Sequence, residues 1–95
     1  MTGGGELDSV MEALWLKFQP LIQERIATIE RAAASIDAGE LAEGRRAAHS
    51  LAGALGSYGR DAASTVAREL ESRLSGDRIQ EAAPLVAELR RLVQS

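Results

Sequence analysis

The sequence predicts an all-α protein: an antiparallel up-down four-helix bundle with an additional N-terminal helix. Three observations lead there. Apolar residues recur at steps of three and four along most of the chain. No stretch shows the period-two alternation of a half-buried strand. Glycine, proline or a capping residue punctuates the chain often enough to leave four amphipathic stretches of about 15–19 residues. At about 1.5 Å per residue, such helices are about 22–28 Å long and fit a short bundle.

Met1 to Gly5 is glycine-rich, and residues 1–8 are expected to form a flexible leader ahead of a helical domain over residues 9–95. Asp8 or Ser9 can cap a first helix, with Glu12 completing a capping box opposite Ser9. Val10, Met11, Leu14, Trp15 and Phe18 give that helix an apolar face, with Trp15 and Phe18 expected to close one end of the bundle. Pro20 lacks an N–H, so a boundary or kink is expected near Gln19. The second helix then runs to about Ala38, with a seam of Ile22, Ile26, Ile29, Ala33 and Ile36 and a stop at Gly39.

The third helix is expected to start at Glu40 or Leu41 and to end at Gly59. Asp61 opens the fourth, whose stripe is Ala63, Val66, Ala67, Leu70 and Leu74. Ser75-Gly76-Asp77 reads as a turn, with Asp77 as a cap. The last helix carries Ile79, Ala82 or Ala83, Val86, Leu89 and Val93, and Pro84 should kink it or delay its start.

Composition narrows the function. With 95 residues the chain suits one small domain, so most helices must contribute a full apolar stripe. There is no cysteine, which excludes disulfides, thiolate metal sites and cysteine nucleophiles. The net charge of −3 and pI near 5.1 argue against a nucleic-acid partner. No apolar run is long enough for a membrane span, and the N-terminus has neither the basic start nor the apolar stretch of a signal peptide. A cytoplasmic monomer is the expectation.

The one histidine, His49, lies in RRAAHSLAGALGSYG, Arg45 to Gly59. Ala48, Leu51, Leu55 and Tyr58 share one side of that helix, and His49 falls away from their centre, with Arg45, Gly53 and Gly56 nearest it. Gly44, Gly53 and Gly56 each cost about 1 kcal/mol relative to alanine inside a helix, and close approach of another surface is a sufficient reason for them.

Conventional chemistry has no signal here. Ser50 and Ser57 are not one turn from His49, GxSxG is absent, and a nucleophilic serine would need a base and an orienting acid. No carboxylates stand at helical spacing from His49 for a zinc site, and no P-loop lysine motif occurs. What remains is histidine as nucleophile. A neutral imidazole can take a phosphoryl group and hold it covalently. Positive charge would steady the phosphoryl oxygens; Arg45 lies one turn before His49, and Arg46 and Arg60 border the same side.

Ala48 to Gly59, AHSLAGALGSYG, resembles the signature of histidine-containing phosphotransfer domains of phosphorelays. That signature has the phosphorylated histidine, an apolar residue two later, and glycines four and ten later; here they are His49, Leu51, Gly53 and Gly59. The family's next helix usually ends in a Leu-Glu pair, matched by Leu70-Glu71. Most members carry a lysine three residues after the histidine, where this chain has Ala52; Arg45 or Arg46 could compensate.

The resemblance implies a phosphocarrier without kinase activity of its own. His49 Nε2 would accept a phosphoryl group from a receiver-domain aspartate and pass it to another receiver, with response regulators or a hybrid histidine kinase as partners. It implies no cofactor in this chain; the Mg²⁺ of the transfer would belong to the receiver. Two alternatives stay open: an adaptor that docks a receiver or kinase without transfer, which Ala52 keeps alive, and a plain helical interaction domain.

Overall fold

The structure is a computed structural model. It describes the backbone of residues 2–76 and 78–94, and side chains from Ser9 to Gln94 apart from Asp77. Four α-helices follow in order: α1 (Thr2–Ala33), α2 (Ala38–Ser57), α3 (Asp61–Ser75) and α4 (Ala82–Gln94), the last entered through one 3₁₀ turn at Ile79–Glu81.

The first correction concerns the N-terminus. The additional N-terminal helix is not a separate element, because α1 runs unbroken through Pro20. Proline removes the N–H that would bond the carbonyl four residues back, here Leu16. Both residues face solvent, Leu16 being 65 % exposed, so water can take that carbonyl and the helix continues. Since α1 starts at Thr2, neither Asp8 nor Ser9 is its cap. Its 32 residues span about 48 Å, close to the molecule's longest dimension of 52 Å. The amino-terminal half of α1 therefore reaches past the other helices, and Val10 and Leu14 stay exposed there.

The α1–α2 connection also differs from expectation. α1 ends at Ala33, and the chain turns through Ser35, Ile36 and Asp37. Ile36, expected in the seam, is fully exposed, and Ala32 rather than Ala33 is the residue buried there. Asp37 caps α2: its Oδ2 accepts from the Glu40 N–H at 2.9 Å. Gly39 is thus inside the first turn of α2 and is not a stop.

The end of α2 follows the prediction. Gly59 adopts φ +73°, the left-handed conformation glycine takes without a Cβ penalty. Arg60 N–H donates to Leu55 O at 2.9 Å and Gly59 N–H to Gly56 O at 3.0 Å, a Schellman closure. α3 then runs back along α2. At its far end the Asp77 cap lies outside the described residues. Pro84 sits in the first turn of α4, where its missing N–H costs nothing, so the α-helix starts late, after the 3₁₀ turn.

The core runs along the bundle axis. Ile22, Ile26 and Ile29 of α1 pack with Leu51 and Leu55 of α2, Leu70 and Leu74 of α3, and Val86, Leu89 and Val93 of α4. Among the described residues of α1, Trp15 is the first buried one, and it meets Tyr58 edge-on at 5.5 Å between ring centroids. Phe18 lies 6.0 Å from the same tyrosine, so the aromatics close one end as expected. Gly44 lets α1 and α2 cross closely, because a Cβ there would overlap that of Ala32.

A histidine on the α2–α3 groove

His49 projects from the middle of α2, on the side away from the buried Ala48, Leu51 and Leu55. Its side chain is 79 % exposed. The helical phase read from the sequence is therefore the phase found.

The partner of His49 lies on α3. Glu71 follows the buried Leu70, which fixes its side chain at the edge of the α2–α3 groove. Nδ1 of His49 lies 3.2 Å from Oε2 and 3.3 Å from Oε1 of Glu71. An ionised carboxylate only accepts, so Nδ1 carries the proton and donates. In a neutral ring that leaves Nε2 unprotonated, with its lone pair directed away from Glu71. On sequence alone Glu71 reads as a structural or solvent-facing residue. The Leu-Glu match is the signal for it, but the pairing spans 22 residues and depends on the register of two helices.

That register is set by small residues. Ser64, the buried polar side chain of α3, donates its hydroxyl to Ala52 O at 2.8 Å. A Cβ on Gly56 would lie 3.5 Å from Ser64 Oγ, an ordinary contact. Ala52 itself is 4 % exposed and faces α3. One turn the other way, Arg45 Nη1 donates to Leu74 O at 3.3 Å, satisfying a carbonyl that the end of α3 leaves without a helical partner.

The predicted site residues separate accordingly. His49, Arg45, Arg46 and Glu71 line one open depression with Ala42 and Ser75. Gly53, one turn beyond His49, faces open space: a Cβ there would meet nothing within 4 Å. Gly56 instead adjoins α3. Arg60 is drawn to the other end, where its guanidinium stacks on Trp15 at 4.0 Å from the ring centroid, so it does not border His49. Arg73, Arg78, Arg90 and Arg91 lie outside this depression, and each pairs with a glutamate.

On the opposite flank of α2, Phe18, Leu21 and Arg25 of α1 and Ser50, Ala54 and Tyr58 border a mainly apolar hollow. Phe18 and Leu21 are each 39 % exposed, and Ser50 brings the hollow next to His49. No helix of the described residues is long and apolar enough to cross a membrane.

Comparison with known proteins agrees with the motif. No curated protein and no solved structure matches the chain. The model of the Hpt domain family matches residues 13–95, which takes in α1 from residue 13 onward, all of α2, α3 and α4, and both His49 and Glu71. The chain belongs to the Hpt domain family, and with it to the helical modules of histidine phosphotransfer in phosphorelays.

Proposed function

We propose that this chain is a phosphorelay intermediate whose phosphoacceptor is Nε2 of His49. The observation that carries the reading is the His49–Glu71 pair, in which Nδ1–H donates to the carboxylate and Nε2 is left bare. In the forward step the Nε2 lone pair attacks the phosphorus of a receiver's aspartyl phosphate. The N–P bond forms, the acyl-phosphate P–O bond breaks, and the aspartate leaves as carboxylate. Reversal on a second receiver completes the relay. Glu71 holds the neutral ring in the reactive tautomer, and it accepts from Nδ1–H of the phosphoimidazolium that the attack forms. Mg²⁺ is supplied by the receiver, and no ATP is bound here.

Gly53 keeps the surface beyond His49 low enough for a receiver's active site to close over it. The domain spans residues 9–95 and acts as a cytoplasmic monomer. An adaptor that docks without transfer is the second reading, favoured by Ala52 alone. Incubation with a phosphorylated receiver separates the two. Transfer predicts an acid-labile, base-stable label that His49→Gln abolishes; binding without label supports the adaptor.

A further inference from the structure

A phosphoryl group on His49 brings about two negative charges next to the carboxylate of Glu71. Such a product needs a cation, and the usual lysine position is not available as it stands. Ala52 is buried against α3, with its carbonyl held by Ser64. Arg45 is half-buried and already bonded to Leu74 O.

Arg46 differs on each count. It is exposed, and among the described residues no hydrogen bond or ion pair engages its guanidinium. It lines the same depression as His49 and Glu71, and it also borders the α1 flank beside Ser50. At about 100° per residue, Arg45 lies about 40° from His49 toward α3, and Arg46 about 60° from it away from α3. Glu71 holds Nδ1 from the α3 side, which leaves Nε2 turned away from Glu71, in the depression that Arg46 also lines.

We propose that Arg46 holds the phosphoryl oxygens of phospho-His49, in place of the lysine usual three residues after the histidine. A guanidinium offers a fork of N–H donors that matches phosphate oxygens, and an unengaged one loses no existing bond in doing so. Arg45 is a structural residue of the α2–α3 groove. The proposal rests on His49 being the acceptor.

Phosphoramidate tests it without a protein partner. Nε2 attacks its phosphorus, the donor's P–N bond breaks, the new N–P bond forms and ammonia leaves. Formation and hydrolysis of phosphohistidine are followed by ³¹P NMR on protein free of any added histidine tag. Variants are Arg46→Gln, Arg46→Lys, Arg45→Gln, Arg68→Gln (an exposed arginine of α3) and His49→Gln. Arg46→Gln should slow labelling and shorten the phosphohistidine half-life by about three- to tenfold, the scale of one exposed charge-assisted contact. Arg46→Lys should recover most of both. The melting temperature should be unchanged in Arg46→Gln and lowered in Arg45→Gln. Wild-type kinetics in Arg46→Gln, or an equal loss in Arg45→Gln or Arg68→Gln, would overturn the assignment. A wild-type protein that takes no label, or a His49→Gln variant that takes it, would instead remove the acceptor reading beneath it.

Discussion

Nδ1 of His49 and Oε2 of Glu71 are 3.2 Å apart across the α2–α3 groove. Each residue comes from a different helix, and each is placed by its buried neighbour, Ala48 on α2 and Leu70 on α3. The pair does for the histidine what its own helix cannot: it chooses the tautomer. With Nδ1 as donor, the nucleophilic lone pair is on the nitrogen that faces solvent.

Removing the acceptor should therefore act on the proton as well as the rate. In Glu71→Ala, ¹⁵N NMR of neutral His49 should show the Nδ1–H tautomer losing population. Phosphoramidate labelling should slow about three- to tenfold, the strength of a charge-assisted bond reduced by solvent. An unchanged tautomer ratio would mean that Glu71 only borders the site.

Gly44 makes a prediction against helix propensity. Glycine to alanine inside a helix ordinarily stabilises by about 1 kcal/mol. Here the new methyl meets Ala32 across the α1–α2 crossing. Gly44→Ala should destabilise by about 1–3 kcal/mol, the usual cost of overpacking, in urea denaturation. Gly53→Ala, which meets open space, should stabilise. A gain in both would show that α1 and α2 are not in close contact at Gly44.

Leu21 separates docking from chemistry. It is exposed on the flank beside Ser50 and lies on a different helix from His49. Leu21→Asn should reduce transfer from a receiver that labels the wild type, by about fivefold or more, through loss of apolar contact area. Labelling by phosphoramidate should stay at the wild-type rate. Equal effects on both donors would place the defect in the fold.

Glu81 links the end of α3 to the start of α4. The hydrogen bond from Arg78 holds its carboxyl below the ordinary carboxylate range, and Arg73 adds to the effect against partial desolvation. A lowered folded-state value means that protons bind the unfolded chain more readily. The stabilisation is then complete above the unfolded value of about 4.3 and is lost as pH falls through the folded one. Glu81→Gln should destabilise at pH 7 and cost little at pH 3 by urea denaturation. A penalty that persists at pH 3 would contradict the ion-pair account.

Much of this was legible in the sequence because helical phase is a local property. Leu51 and Leu55 define the inside of α2, and from them the exposure of His49 follows. Gly59 marked its own αL turn for the same reason. Pro20 misled because its effect depends on where it points: on a solvent face the freed carbonyl is hydrated and α1 continues. Ile36 misled because its spacing fits the seam while α1 ends at Ala33 and the chain turns into the Asp37 cap of α2. Glu71 was hidden because its role exists only once α2 and α3 are in register, and Ser64 with Ala52 sets that register. The glycines looked alike in sequence but divide in space, Gly44 serving a helix crossing and Gly53 an open surface.

The central claim is tested most directly by ³¹P and ¹⁵N NMR of the protein after exposure to a phosphorylated receiver. The account predicts one phosphohistidine, bonded through Nε2 of His49 with the proton on Nδ1, absent in His49→Gln and transferable to a second receiver. A phosphoryl group on Nδ1, or a receiver that binds across His49 while the imidazole stays unmodified, would contradict it.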